Sequence, residues 1–436
     1  MLRRSLIMMR SLYSGVSGLK AHQTKMDVIG NNIANVNTVG FKSSRVTFSE
    51  LFYQTTQVAS GPNADTNTGG QNAKQIGLGT SMGAISVDVT TEGGTQSTGN
   101  PFDLKISGDS FFVVSSGGSN YFTKAGNFTT DESGNLVTQS GGLVMGYIAE
   151  TPGATLQTDQ IRPLSVYGAQ YTNTPPEVTT AATYSGNINS EDSNFAEGLP
   201  ITTFIPVFDN LGYKYEVQVQ ITKTSDTEYT AEATGVYSGN KLVEDLTAEM
   251  SGTLTFDGKT GLIAEGSESS FELNITGKDS FTSPVQVDFS SITCYGNEST
   301  IDCVRGDKNG EGAGKAVGTM ISVGVQTDGK IVAAYSNGDN EVIGQIAVAN
   351  FSNPAGLEKV GDNLFAATLN SGEFNGIGED VTANGGSISS GTLEMSNVDL
   401  STEFTDMIVT QRGFQANSRI ITTSDTMIEE LLSLKR

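Results

Sequence analysis

Apolar residues recur on two different periods along this chain. Over Ser11–Val36, Leu12, Val16, Leu19, Met26 and Ile33 fall on alternating steps of four and three, with Gln23 and Gly30 on the polar beats. Over Val398–Lys435, Phe404, Met407, Phe414, Ile421, Ile428 and Leu432 keep that spacing, and Gln411, Ser418 and Asp425 are the polar beats. The spacing predicts two long helices, each carrying a coiled-coil seam. Ser11 is the expected cap of the first, and Asp399 or Ser401 of the second. Glu403 and Asp406 early in the second helix, with Lys435-Arg436 at its end, suit the helix dipole. Gly15 and Gly18 weaken the first helix by roughly 1 kcal/mol each relative to alanine, so it depends on packing. Two seams at opposite ends imply that the termini meet each other or meet other copies of the chain.

Between the helices the period is two. Phe111–Val114 reads as a short apolar strand and Asn135–Gly146 as a strand pair with glycine turns. The clearest strand is Tyr213–Ile221, where Tyr213, Tyr215, Val217, Val219 and Ile221 alternate with Lys214, Glu216, Gln218 and Gln220. Asp257-Gly258, Asp328-Gly329 and Asn337-Gly338 suit two-residue hairpins with left-handed backbone. Gln345–Phe351 is one more strand, cut by Asn353-Pro354. Ser60–Gly79 is nearly devoid of apolar residues and reads as an extended loop. A proline-bearing stretch, Thr151–Pro176, and a Gly/Asp/Lys/Asn stretch, Asp302–Gly318, bracket what looks like an inserted domain. The fold class is therefore multidomain α plus β.

Composition narrows the function. The 436 residues include 48 acidic and 25 basic side chains, a formal charge of −23. That argues against nucleic acid, whose phosphates reward lysine and arginine, and against an anionic membrane surface. No run of 18 apolar residues exists, so no membrane insertion is expected. Met1–Arg10 is basic and apolar, too short for a signal peptide, and Met8 or Met9 is an expected start. The one histidine, His22, lies in the first helix, a poor place for a catalytic triad. Cys294 and Cys303 are too few for zinc without histidines, and a disulfide between them stays open. Asp307-Lys-Asn309-Gly-Glu311 begins like a calcium loop, but Gly318 stands where a bidentate glutamate is needed. No cofactor and no catalytic constellation emerge, and a building block is a better reading than an enzyme. Asn31, Asn32 and Asn35, beside Ile29, Ile33 and Val36, suit a partner-specifying role in the seam, or else a fraying helix end.

At these residues the chain resembles a known family. SLYSGVSGLKAHQTKMDVIGNNIANVNTVGFK (Ser11–Lys42) is similar to the N-terminal signature shared by bacterial flagellar rod and hook proteins. GTLEMSNVDLSTEFTDMIVTQRGFQANSRIITTSDTMIEELLSL (Gly391–Leu434) resembles the matching C-terminal signature. GNPFDLKISGDSFFVV with YFTKAGNFTTDESGNLVT (Gly99–Thr138), and Gly329–Thr368, resemble the hook members in particular.

The resemblance implies a nested fold. After an N-terminal extension (1–10), residues 11–36 and 397–436 would pair as an inner coiled coil. Residues 37–98 and 355–396 would form a connecting region, 99–170 and 303–354 a middle β domain, and 171–302 an inserted outer β domain. It further implies a subunit of a flexible helical tube between rod and filament, exported by the flagellar type III route. Its partners would be itself and the rod, hook-cap and hook–filament junction proteins. The distal rod is the alternative within the family, and a secreted β-rich adhesin is the alternative outside it.

Overall fold

The computed structural model of the chain describes residues 2–62, 69–239, 241–277, 281 and 283–433. Its two long helices are Leu2–Ala34 and Leu400–Ser433, packed on each other. The first starts well before Ser11, which lies inside the helix and is not its N-cap. Residues 2–10 hold no glycine or proline to stop a helix, so the expected extension continues it. The second is capped by Asp399. Its Oδ1 accepts the Ser401 N–H at 2.8 Å and its Oδ2 the Thr402 hydroxyl at 3.0 Å. Those bonds, the Ser401 N–H foremost, hold the Asp399 carboxyl below the usual range. Lys435 and Arg436 lie outside the described residues.

From the first helix the chain enters a long antiparallel ribbon. Ser44–Glu50 pairs with Thr80–Val87, and beyond it Tyr53–Gln57 pairs with Lys74–Gly77. Ser60–Gly79, expected as a loop throughout, therefore contains a strand. Its polar side chains hid it, because a ribbon exposed on both faces shows no apolar alternation.

The next layers take strands from both halves of the chain. Thr95–Ser97 pairs with Thr392–Glu394, and Leu104–Ser107 with Ser387–Ser390. The central sheet then runs Gly318–Val325, Lys330–Tyr335, Asn340–Ile346, Leu143–Ile148, Phe111–Ser116, Ser119–Thr123, Leu364–Ala366 and Glu358–Gly361. Phe111, Val113 and Phe122 pack on one side, and Phe112, Leu136 and Ile331 on the other. The expected hairpins at Asp328-Gly329 and Asn337-Gly338 form, but as three-residue loops. Gln326 N–H bonds Lys330 O, and Tyr335 N–H bonds Asp339 O. Only Gly329 and Gly338 adopt positive φ (80° and 91°), so each turn ends in one left-handed glycine. At Asp257-Gly258 the bridge Phe256↔Ile263 encloses a longer loop, with Gly261 left-handed.

The outer unit is two five-stranded sheets facing each other over one core. One sheet holds Ile201–Phe208, Lys214–Lys223 and Glu228–Ser238; the other holds Ser270–Thr276, Val285–Thr293, Ala181–Asn187 and Asp302–Arg305. Tyr215, Val217, Val219 and Ile221 all point inward, while Tyr213 precedes the strand and is exposed. Tyr184 stacks on Phe289 at 4.6 Å. The chain crosses to the central sheet through a two-stranded link, where Glu177 and Lys315 exchange backbone hydrogen bonds. Tyr171 is buried in the central core, and Asp302–Arg305 belongs to the outer sheet. Glu358–Gly361 and Leu364–Ala366 are central-sheet strands, not connecting chain, because Phe365 pairs with Phe122.

Cys294 and Cys303 are free thiols, which corrects the open disulfide. Cys294 follows the strand Val285–Thr293, Cys303 lies on Asp302–Arg305, and Ala181–Asn187 runs between those strands. Two strand spacings of about 4.8 Å already exceed what a disulfide spans.

Candidate assembly interface

The helices run antiparallel, and the line along which they meet is not the apolar seam. A Cβ on Gly15 would lie 3.3 Å from Ile421, and one on Gly18 only 2.6 Å from Asn417. His22 abuts Gly413, where a Cβ would sit 2.6 Å from its Nε2. Lys25 Nζ lies 3.3 Å from Asp406, and Asn32 Nδ2 donates to Glu403 Oε1 at 2.9 Å. The residues that meet are thus Gly15, Gly18, His22, Lys25 and Asn32 on the first helix and Glu403, Asp406, Gly413, Asn417 and, from the seam itself, Ile421 on the second, with Ile29, Thr410 and Ser424 buried at the same spacing. Both lines keep the three-and-four step. Each lies one residue before the expected seam, which is about 100° around a helix. Small residues at Gly18 and Gly413 let the backbones approach where larger apolar side chains could not.

The expected seam therefore faces largely outward. Leu12, Leu19, Met26, Ile33, Met407, Ile421 and Ile428 are half-buried. Val16, Phe404, Phe414 and Leu432 are 41%, 50%, 40% and 64% exposed, and Gln411 is exposed among them. Ile408, Val409, Ile420 and Met427 widen the apolar stripe. The contact line itself is imperfectly satisfied. His22 Nδ1 and Thr410 Oγ1 are buried without a hydrogen-bond partner, each costing about 1–3 kcal/mol. The half-exposed Lys25–Asp406 pair contributes less than about 1 kcal/mol.

The asparagines divide. Asn32 is buried and works within the chain: its Oδ1 accepts the Ser44 N–H at 3.0 Å, and its Nδ2 donates to Ser44 O at 2.9 Å as well as to Glu403. It clamps the reversal from helix to ribbon. Asn35 Nδ2 donates to Asn31 O at 2.9 Å at the helix end, and Asn31 is exposed. Asn397, which the sequence did not single out, does the same at the return: its Oδ1 accepts the Ser43 N–H at 2.8 Å and its Nδ2 donates to Asp88 O at 2.9 Å. The calcium-like loop is a self-satisfied turn, with Asp307 Oδ1 accepting the N–H groups of Asn309 and Glu311 at 2.8 Å each. Those bonds hold its carboxyl below the usual range.

The chain matches known protein families at both helical ends and in the layers between them. Residues 12–42 match the flagella basal body rod protein family and 389–434 the flagellar basal body rod FlgEFG protein C-terminal family. Residues 105–166 match the flagellar hook protein FlgE/F/G D1 domain, and 180–307 the flagellar basal body protein FlaE D2 domain. The chain is 35% identical to flagellar hook protein FlgE of Treponema pallidum and 37% identical to that of Borreliella burgdorferi, each over 98% of this chain and 100% of the relative. The chain belongs to the flagellar hook protein family. It is a structural subunit of the flagellar hook, and its place is the hook of the basal body. It is also 32% identical to flagellar basal-body rod protein FlgG of Bacillus subtilis, over 98% of this chain and 100% of that one. These homologues are structural flagellar proteins, not enzymes, and the family implies self-polymerisation and association with the basal body.

Proposed function

We propose that the chain polymerises, through the apolar stripe of its terminal helices, into a flexible helical tube that joins rod to filament and transmits torque. The observation that carries this is the stripe itself: Val16, Phe404, Phe414 and Leu432 face water in the single chain. Burying such a side chain contributes about 1.5–3 kcal/mol, so stacking subunits draws on several of them each. Contacts that join different patches of successive copies continue as a helix and do not close. Its neighbours in this reading are the rod, hook-cap and hook–filament junction proteins, and the subunit reaches the tip, outside the cell, by type III export.

Phe414→Asp tests the reading. The side chain lies off the intramolecular contact line, so the single chain keeps its thermal melt while tubes fail to form. Tubes of ordinary length from Phe414→Asp protein would sink the proposal. The likeness to the FlgG rod protein favours one second reading, a distal rod. Curved tubes by electron microscopy support the hook, and uniformly straight, rigid ones the rod.

A further inference from the structure

The two-stranded link between the central sheet and the outer sandwich is anchored at both ends and weak in the middle. At its lower end Asn173 and Thr174 pair with Thr319 and Gly318, and the buried Thr174 accepts the Gly318 N–H on its Oγ1 at 3.0 Å. At its upper end Thr179 is wholly buried. Its N–H bonds Phe208 O at 3.1 Å, and its Oγ1 accepts the Phe208 N–H at 2.9 Å and donates to Ala313 O at 3.1 Å. The Arg305 guanidinium covers the Phe208 ring at 4.5 Å, so the upper half of the link belongs to the sandwich. Glu177 and Lys315 form the last rung of that half. Between the two anchored halves lie Pro175-Pro176 on the outgoing strand and Ala316-Val317 on the return strand. Proline has no N–H, so the outgoing strand donates nothing to its partner here. Two rigid β units therefore meet at a point where the ladder is interrupted.

Side chains cross that point. Asn337 and Asp339 lie in a hairpin loop of the central sheet. Asn337 Nδ2 donates to Ala316 O at 3.1 Å and to Thr174 Oγ1 at 3.2 Å. It also donates to Asp339 Oδ2 at 2.8 Å, which aims the carboxylate. Asp339 Oδ1 then lies 3.1 Å from Lys315 Nζ. The other carboxylate near Lys315 is Glu177, at 3.9 Å and on the same half of the link. Lys315 thus goes with the sandwich and Asp339 with the central sheet, and their bond spans the interruption. From the sandwich side the turn at Gly212 rests on the same four residues. A Cβ there would lie 3.0 Å from both Pro176 Cβ and Val317 N, and φ is +83°, so glycine is what lets the turn approach.

We propose that Lys315, Asp339 and Asn337 form a latch that sets the angle of the outer sandwich on the central domain. With the latch closed the two β units move as one body. With it open the sandwich turns about Pro175-Pro176 and Ala316-Val317. The strength of the contact suits a latch and not a weld. Lys315 is 38% and Asp339 16% exposed, so salt screens the pair, and it shifts the closed-to-open ratio by no more than about fivefold. A bias of that size can be overridden by a contact from outside the chain. The inference concerns the single chain and stands apart from the hook reading.

The test is pulsed electron spin resonance on the full chain. Nitroxides are attached at Glu132→Cys in the central domain and Lys259→Cys in the sandwich, both exposed positions, after Cys294→Ala and Cys303→Ala. At low ionic strength the parent should show one narrow distance. In Lys315→Met the population away from that distance should rise by up to about fivefold, and high salt should move the parent the same way while leaving the variant unchanged. Lys330→Met, which removes an ion pair to Asp328 inside a single hairpin, should keep the parental distribution. A broad distribution in the parent at low salt, a parental one in Lys315→Met, or an equal change in Lys330→Met overturns the latch. If Lys315→Met does not fold by circular dichroism, Asp339→Asn takes its place, and a parental distribution there overturns the latch as well.

Discussion

In the outer sandwich Val217, Val219, Ile221, Tyr229 and Leu273 are wholly buried, and its two sheets seal one another. In the terminal helix pair the contact line is largely glycine, histidine, asparagine and one ion pair, while phenylalanine and leucine face water. One region completes its core within a single chain; the other leaves its strongest apolar surface for neighbours. The difference separates two tasks: a sealed domain holds its shape as the polymer moves, and an unsealed helix pair gains most of its stability on assembly.

The sharpest test of that contrast is amide exchange in the free chain. Protection should be orders of magnitude greater in Lys214–Lys223 than in Leu400–Ser433, because local opening costs little where few apolar contacts are sealed. Equal protection in both would break the comparison. Next in size is Val219→Asp, which places an unpaired carboxylate among buried apolar residues and costs several kcal/mol. The sandwich should lose its cooperative melt, whereas Phe414→Asp leaves that melt in place and removes only assembly.

Lys124 gives an intermediate effect with a definite sign. Burial, and next the like charge of Lys42, push its folded pKa to about 8, below the ordinary 10.5, so between those values the unfolded chain binds more protons than the folded one. Its contribution to stability therefore rises as pH goes from about 8 to 10.5, by up to about 3 kcal/mol. Because burial raises the Cys303 thiol and several tyrosines, which lower stability as pH rises, the readout is the difference: denaturant melts across that window should show the wild type gaining stability relative to Lys124→Met. Parallel profiles in the two proteins would show Lys124 to be well compensated already. The smallest effect is Asp399→Ala, which removes the cap of the second helix at about 1 kcal/mol. It should raise exchange at Ser401 and Thr402 alone, and a change in the sandwich melt would mean the two regions are not separate.

Much of this was legible locally. The four-and-three step marked both helices, alternation at Tyr215–Ile221 marked an inward-facing strand, and the Asp-Gly and Asn-Gly pairs marked two hairpins in the right place. The misses share a cause. The search for a seam rewarded large apolar residues, yet Gly15, Gly18 and Gly413 were visible on the neighbouring line at the same spacing. The ribbon strand Lys74–Gly77 has no buried face to impose alternation. Lys42 and Glu394, a buried ion pair at 2.8 Å, stand 352 positions apart, and nothing near either one marks the pair.

The sequence by itself determined which segments are helix and which are strand, because those preferences are settled within a few residues by backbone sterics, hydrogen bonding and side-chain period. Only the tertiary structure decided which stripe of each helix faces the other, because rotational phase depends on how closely two backbones can approach. It likewise decided that Cys294 and Cys303 stay apart, since a strand inserted between theirs separates them. The same holds for the buried Lys42: the carboxylate it meets arrives from the far end of the chain, so the pair exists only once the layers have closed.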